Sequence, residues 1–324
     1  MSWIEPMEPI RAMEVKDSSE YIHEIKWDGI RGLVYLQNNE LKIYTKKGND
    51  RTEFYPELNI LNDELKAQDI ILDGEIIVLD KEGLPSFYNS LIRETVKSKK
   101  NLKYYQNNYP INYIVFDILK YKDTLLTKNL LFERKQLLEQ LLSSIVNNSN
   151  IIRLSEVYSD GKELYQKMKQ KNMEGIVSKK INSPYISGKK HDAWFKTKFT
   201  KKMLCIIGGI QWKGDKPNSL VLGVKTLGNE KMNYVGKASL GLKESDLKLL
   251  KEYRNELIQD ECPFLESSIS SLDLSGTELT WVNPSITCWI NFLELSNDGH
   301  FRHPKIIGFT ALPIEEANGR ILTD

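Results

Sequence analysis

The chain repeats short apolar segments between turn-forming residues, and this pattern restricts it to a mixed fold dominated by strands. Five such segments in the first two hundred residues are rich in Ile, Val and Tyr and end near Asn, Gly or Asp. They predict strands at residues 32–36, 41–44, 70–78, 111–119 and 175–180. Because strands and helices do not strictly alternate, the expected class is α+β with antiparallel sheets and flanking helices.

Helices are predicted where leucines recur at helical spacing. Between Thr127 and Val146 the leucines share one face and charges occupy the other, and residues 160–172 form a second helix candidate. Asn38 and Asn39 are typical of a hairpin tip.

With 324 residues the chain exceeds the size at which single cores usually divide, so we predict two domains, 1–200 and 201–324. The second contains one predicted helix at residues 245–258 among several glycine-flanked strands. Those strands are predicted at residues 205–210, 219–226, 232–236, 279–282, 286–294 and 305–309. Short strands with one helix in a small domain favour an OB-fold β-barrel.

Composition narrows the class of protein. A hydrophobic content of 40% supports true cores, and no apolar run is long enough to form a signal peptide or a membrane span. The three cysteines are widely spaced and lack a C-x-x-C motif, which argues against a disulfide scaffold and a zinc site. We therefore expect a cytoplasmic protein with no membrane contact.

Local charge is more informative than net charge, because 45 basic residues balance 44 acidic ones to give +1. One basic cluster between residues 189 and 202 interleaves six lysines with aromatic residues against the single acid Asp192. A second comprises Lys97, Lys99, Lys100 and Lys103, followed by two tyrosines. The second is equally consistent with a solvated surface and with a binding surface.

One lysine stands in a pattern suited to phosphate chemistry, Lys26-x-Asp28-Gly29-x-Arg31. A free lysine titrates near pH 10.4, so a nucleophilic lysine needs cationic neighbours, burial or a metal. Asp28 and Gly29 predict a tight turn, with Gly29 free to take a positive φ, that brings Arg31 back toward Lys26. The same string is also typical of an ordinary surface hairpin.

Four further motifs carry chemistry that such a lysine would need. Glu75 interrupts an apolar strand, Phe116 could supply a ring for a base, and Glu174 could bind a metal. Lys196 and Lys198 alternate with aromatic residues, which on a strand places both lysines on one face and Phe195 on the other. Each position alone could be structural; their occurrence together favours a site.

In this order and spacing the motifs resemble the covalent nucleotidyltransferases, which comprise ATP-dependent DNA ligases, RNA ligases and mRNA capping enzymes. Segments 219–223, 234–242, 292–294 and 298–304 further resemble the ligase module of bacterial end-joining DNA ligases. The resemblance covers nearly the whole chain. It implies a nucleotidyltransferase domain followed by an OB-fold domain.

The resemblance implies that Lys26 attacks ATP to form lysyl-AMP, that AMP passes to the 5′-phosphate of a DNA nick, and that the 3′-hydroxyl then seals the strand. It assigns catalysis to Lys26, Asp28, Lys196 and Lys198. It assigns nucleotide binding to Glu24, Ile25, Lys26, Arg31, Lys46, Glu75, Phe116, Glu174, Lys196 and Lys198. Within that set, Arg31 and Glu75 would hold the ribose and Phe116 would stack on adenine.

Metal and partners follow from the same resemblance. Glu174 and Glu75 would bind Mg²⁺ or Mn²⁺. The partners would be nicked double-stranded DNA and a separate DNA-end-binding protein, and we expect a monomer. An RNA ligase, a capping-type enzyme or a nucleic-acid-binding module that has lost catalysis are the alternatives.

Two positions depart from the family pattern. Lys46 replaces an arginine that contacts the nick phosphate, which keeps the charge but loses the bidentate fork. Residues 308–313 lack the R-x-D-K-like string that orients the leaving pyrophosphate. We therefore expect self-adenylation to be slow relative to sealing by the adenylated protein.

Overall fold

The structure is a computed structural model that describes residues 3–65, 68–226, 228–270, 272–273, 278–296 and 298–323. The chain divides into two compact units, residues 1–198 and 199–324. Among the described residues, no helix combines the length and apolarity needed to cross a membrane.

Within the described residues, the first unit contains two sheets and five α-helices. Its strands are β1 Glu8–Arg11, β2 Tyr21–Ile25, β3 Ile30–Gln37, β4 Glu40–Thr45, β5 Ile70–Val78, β6 Ile111–Tyr121, β7 Thr124–Leu125, β8 Ile152–Leu154, β9 Gly175–Lys180 and β10 Lys190–Lys198. Its helices are α1 Asn59–Glu64, α2 Phe87–Glu94, α3 Leu102–Asn108, α4 Leu131–Asn148 and α5 Gly161–Gln170. A four-stranded sheet has the order β1-β10-β9-β2, and a six-stranded sheet has the order β4-β3-β5-β6-β7 with β8 beside β6.

Pairing is antiparallel except between β1 and β10 and between β6 and β8. One core lies between the two sheets and contains Leu33, Ile71, Phe116 and Trp194. A second core forms where leucines of α4 pack on the other face of the six-stranded sheet. The two sheets therefore enclose a common interior, which is where the site described below lies.

The hairpin predicted at Asn38 and Asn39 joins β3 to β4. Both asparagines have positive φ, 51° and 63°, and Gln37 pairs with Glu40 across the turn. Two left-handed central residues match the right-handed twist of the flanking strands, and asparagine tolerates that conformation better than most residues.

The second unit is a barrel. Its strands are β11 Lys201–Lys213, β12 Lys216–Val224, β13 Asn233–Ala238, β14 Glu278–Trp281, β15 Thr287–Phe292, β16 Glu294–Leu295, β17 Phe301–Arg302, β18 Lys305–Thr310 and β19 Ile321–Thr323. Its helices are α6 Glu244–Glu252, α7 Arg254–Leu257 and α8 Glu266–Ile269. The order β13-β12-β11-β15-β18 is closed by a parallel bridge between Leu240 and Lys305, where the Ile306 N–H donates to the Leu240 carbonyl at 2.8 Å.

The predicted class, α+β with an OB-fold-like second unit, is confirmed. Two helices differ from the prediction. The helix predicted over residues 245–258 is interrupted at Tyr253, which separates α6 from α7. A second helix, α4, begins at Leu131 rather than near Thr127, because the Glu133 carboxylate accepts a hydrogen bond from the Leu130 N–H at 3.1 Å and caps the first turn.

Candidate active site

The four-stranded sheet brings together side chains from three distant segments. Ile25 of β2 pairs with Ile176 of β9, and the Lys26 N–H donates to the Gly175 carbonyl at 3.0 Å. On the other side of β9, Lys198 pairs with Gly175 and Lys196 with Val177. Lys196 and Lys198 lie two residues apart on β10 and share one face of this sheet, and Glu174, just before β9, contacts both Lys26 and Lys198.

Glu174 is shared by two lysines. Its Oε2 is 2.5 Å from the Nζ of Lys26, and its Oε1 forms a salt bridge with Lys198. All three side chains are largely buried, with exposed fractions of 20% for each lysine and 11% for Glu174. One carboxylate thus neutralises part of a cluster that retains a net positive charge.

Lys196 completes this cluster. Burial lowers the pKa of its ammonium group below the usual value, and the nearby charges of Lys198 and Lys26 lower it further. Phe195 lies on the opposite face of β10, where its ring contacts Tyr21 and Lys16. Clustered cations of this kind suit the phosphates of a nucleotide.

The six-stranded sheet supplies a second group of charged side chains, which face the lysine cluster across a cavity. Arg31 on β3 pairs directly with Glu75 on β5. Its guanidinium binds the buried Asp73 through two nitrogens, at 2.5 and 2.6 Å, and donates to the Met7 carbonyl at 3.2 Å. Burial would lower the pKa of Arg31, but Asp73 raises it, so this cation is held in place before any ligand arrives.

Glu75 is a second carboxylate in this region, close to the charges of Lys26 and Arg31. Burial raises its pKa to about 7, because the opposing effects of Lys26 and Arg31 are smaller and Glu174 and Asp73 repel it. No described residue forms a salt bridge with it. A carboxylate in this state would gain from a cation or from a hydroxyl donor.

Phe116 reaches the same cavity through a β-bulge. The pairing of β5 with β6 shifts between Asp73 and Gly74, so Phe116 is an extra residue that the bulge turns toward the other sheet. Its ring is only 8% exposed and is contacted by Arg31 at 4.5 Å and Lys179 at 4.4 Å. The ring lines the cavity but is mostly packed, so a base could reach only part of it.

Glu24 lines the same cavity and is bound by two lysines. Its Oε2 accepts from Lys179 at 2.9 Å, and its Oε1 is 2.5 Å from the Nζ of Lys135. Burial alone would raise the pKa of Glu24, but the two lysines hold it below its usual value. Burial in turn lowers the pKa of Lys179 to about 8.

These residues border a cavity of about 660 Å³ within the first unit. Eight of the residues predicted to bind nucleotide line it, namely Glu24, Ile25, Lys26, Arg31, Lys46, Glu75, Phe116 and Lys196. Glu174 joins it through its salt bridge to Lys26, and Lys198 joins it through its salt bridge to Glu174. Lys46 is half exposed and binds Glu8 at 2.7 Å at the rim.

The predicted turn at Asp28 and Gly29 differs from expectation. Gly29 is not among the residues with positive φ, and Asp28 is half-buried and does not line the cavity. Glycine is required at position 29 for another reason: a Cβ there would collide with the Ile76 carbonyl and lie 2.7 Å from the Ile77 side chain. Close packing against β5, rather than turn geometry, explains this residue.

Three residues at the site were not predicted from the sequence. Asp73 stands in the same D-G-E string as Glu75, and Lys179 lies on the strand that follows Glu174, so both had a local signal. Lys135 lies on α4, far from every motif, and no local pattern points to it. Only the tertiary packing of α4, which lies against β6 and β8, brings it to Glu24.

The residues present fit a magnesium or manganese ion. Glu75 and Glu174 are electrostatically coupled neighbours, and Mg²⁺ is usually held by one or two carboxylates together with substrate phosphates and water. Among the described residues no group of three or more metal-ligating side chains occurs. This donor set therefore suits an ion that enters with its phosphate ligands.

A two-sheet unit with this lysine-centred cavity, followed by a closed barrel, defines the covalent nucleotidyltransferase class. Residues 5–198 match the family described as ATP dependent DNA ligase domain, and residues 213–310 match the ATP dependent DNA ligase C terminal region. The chain belongs to the ATP-dependent DNA ligase family.

Individual relatives support this family assignment. The multifunctional non-homologous end joining protein LigD of Mycolicibacterium smegmatis is 28% identical over 292 residues, which cover 89% of this chain and 36% of that protein. The SPbeta prophage-derived DNA ligase-like protein LigB of Bacillus subtilis is 34% identical over 195 residues, covering 60% of this chain and 67% of that protein. This chain thus spans little more than a third of the length of LigD.

A solved structure shares the fold. The ligase domain from M. tuberculosis LigD aligns with a TM-score of 0.55 at 24% identity, and 98% of each chain is covered. The predicted resemblance to the ligase module of end-joining ligases is confirmed.

Proposed function

We propose that this protein seals nicks in duplex DNA with ATP, through AMP linked to Lys26. The observation that carries the proposal is the Lys26–Glu174–Lys198 arrangement at the wall of a cavity that Lys196 also lines. Residues 1–200 would act as the adenylation domain and residues 201–324 as the OB-fold domain.

In the first step the neutral amine of Lys26 attacks the α-phosphorus of ATP. A P–N bond forms, the bond to pyrophosphate breaks, and pyrophosphate leaves. Glu174, whose Oε2 is 2.5 Å from the amine, is placed to accept the proton that Lys26 loses. Lys196 and Lys198 would stabilise the charge that develops on the phosphate oxygens.

In the later steps AMP moves from Lys26 to the 5′-phosphate of the nick, which releases the lysine. The 3′-hydroxyl then attacks that phosphate, forming the phosphodiester and expelling AMP. Lys46 at the rim would contact the nick phosphate. Asp28, between Lys26 and Arg31, would hold the segment that carries the nucleophile.

Nucleotide recognition would use the residues around the cavity. Arg31 and Glu75 would bind the ribose, the Phe116 ring would face adenine, and the Glu24–Ile25 segment would contact the adenine edge. Glu75 and Glu174 would hold a magnesium or manganese ion, and such an ion would supply neutralisation of phosphate charge.

We also propose that the protein works as a monomer in the cytoplasm, with a separate DNA-end-binding protein. The end-joining function in the name of the LigD relatives supports the latter suggestion.

The test is sealing of a labelled nicked duplex with ATP, with Lys26→Ala as the matched control. We expect sealing and a mass increase equal to AMP on the wild type only. Parallel reactions with GTP and with nicked RNA separate a ligase acting on DNA from the capping-type and RNA alternatives. Absence of any AMP adduct with either magnesium or manganese would contradict the proposal.

A further inference from the structure

The second lysine cluster predicted from the sequence plays no part in the nucleotide site. Its lysines lie in residues 97–103, which we call the basic segment; it contains Lys97, Lys99, Lys100 and Lys103 and no acidic residue. All four lysines are exposed. Because the whole chain is nearly neutral, a stretch with four positive charges is a local feature that requires its own explanation.

Three of these lysines form no salt bridge with any residue that the structure describes. Within the described part of the chain, only Lys99 forms a salt bridge, with Glu53 at 2.6 Å, and both side chains of that pair are more than half exposed. Tyr104, next to the segment, is 59% exposed. An exposed aromatic residue beside unpaired lysines is more typical of a nucleic-acid surface than of a solvated helix face.

The start of the basic segment is anchored at the cavity. Glu94 lines the cavity, and its carboxylate accepts a hydrogen bond from the Tyr55 hydroxyl at 2.7 Å. The Arg51 guanidinium donates to the carbonyls of Glu94 and Val96, the latter at 3.0 Å, and Val96 is buried. The lysines therefore project from a fixed point at the cavity rather than from a loose loop.

We propose that the basic segment binds the phosphate backbone of the duplex on one side of the nick. This inference rests on the proposed function, because the nick must lie at the cavity for the geometry to apply. Lys103 lies nine residues beyond Glu94, so it can be at most ~30 Å from the cavity. At ~3.4 Å per base pair, the contacts would fall within about nine base pairs of the nick.

The test uses the triple variant K97A/K100A/K103A, which leaves the paired Lys99 intact. Its matched control is K162A/K167A/K171A, which removes the same charge from and just beyond α5, a helix that packs on β2 and β9. Binding of nicked duplex is measured by fluorescence anisotropy without ATP over a range of salt concentrations, and AMP-adduct formation is measured without DNA.

Each lysine that contacts a phosphate adds about 0.9 to the slope of log affinity against log salt. We expect the triple variant to lower that slope by about 3 and to bind nicked DNA about tenfold more weakly at low salt, while forming the AMP adduct at the wild-type rate. We also expect its binding defect to disappear when the duplex on one side of the nick is trimmed to a few base pairs.

An unchanged salt slope in the triple variant, or an equal effect in the α5 control, would overturn this inference and would direct attention to an acidic protein partner for the basic segment. That result is distinct from failure of the proposed function, in which the wild type itself would neither form the adduct nor seal the nick.

Discussion

Glu174 determines the charge that the site presents to a ligand. One carboxylate serves Lys26 and Lys198, and Lys196 has no carboxylate of its own within the cluster. The cluster therefore carries excess positive charge where a triphosphate would lie. Transfer of a proton from Lys26 to Glu174 would create the nucleophile without moving either backbone.

Glu75 leads to a prediction about pH and stability. Its pKa is about 7 in the folded protein and about 4.5 when unfolded, so the folded state binds more protons between those values and stability falls as pH rises through them. Glu75→Gln removes the free-energy cost of ionising this buried carboxyl. Because the carboxyl keeps some access to the cavity, we expect the variant to gain about 2 kcal/mol relative to wild type between pH 5 and pH 8.

Urea unfolding at both pH values measures this difference, with the exposed Glu82→Gln as control. The variant should also lose nick-sealing activity at pH 8, although it is more stable there. A stability difference that is the same at pH 5 and pH 8 would contradict the assignment of a raised pKa to Glu75.

Strands β9 and β10 act as one unit, and Gly175 is where they meet. Its φ is +146°, and a Cβ there would collide with the Thr197 carbonyl and lie 2.8 Å from the Lys198 Cα. A side chain at this position must push apart the strands that hold Glu174 and Lys198. Most residues cannot adopt this φ without strain.

We predict that Gly175→Ala destabilises the protein by about 3 kcal/mol and abolishes AMP-adduct formation. Gly83→Ala is the matched control, since Gly83 also has positive φ but has no atom within 4 Å of its added Cβ. That variant should lose only about 1 kcal/mol and keep its activity. Urea unfolding and intact-mass analysis measure both effects; equal effects of the two substitutions would show that φ alone, and not strand separation, is responsible.

At the scale of the whole protein, the predicted rate of self-adenylation concerns residues 308–313, a segment near the end of the barrel. Thr310 and Leu312 both accept hydrogen bonds from the Thr287 hydroxyl through their carbonyls, at 3.1 and 2.8 Å. Residues 308–310 are the end of β18 and pair with β15, and residues 308–313 contain no basic side chain. This segment therefore offers no lysine or arginine that could pair with pyrophosphate.

We predict that self-adenylation is at least about tenfold slower than nick sealing by preformed adenylated protein. Single-turnover measurements compare the two rates, using mass analysis for the AMP adduct and labelled nicked duplex for sealing. Purification of almost fully adenylated protein from preparations poor in ATP would argue against the prediction.

Local sequence determined a large part of this protein. The strands predicted above, the Asn38–Asn39 hairpin and the helices α4 and α5 follow from turn residues and apolar spacing, which act over a few positions. Eight of the residues that line the cavity could also be named, because each stands in a short motif. The interruption of the last long helix at Tyr253 could not, since apolar spacing continues across it.

Tertiary structure alone decided how those residues are paired. Arg31 is held by Asp73, Glu174 is shared between two lysines, Phe116 is turned inward by a bulge, and Lys135 is brought to Glu24 from α4. The physical reason is that ionic partners and pKa values depend on burial and on distances between segments far apart in the chain, which spacing along the sequence does not encode.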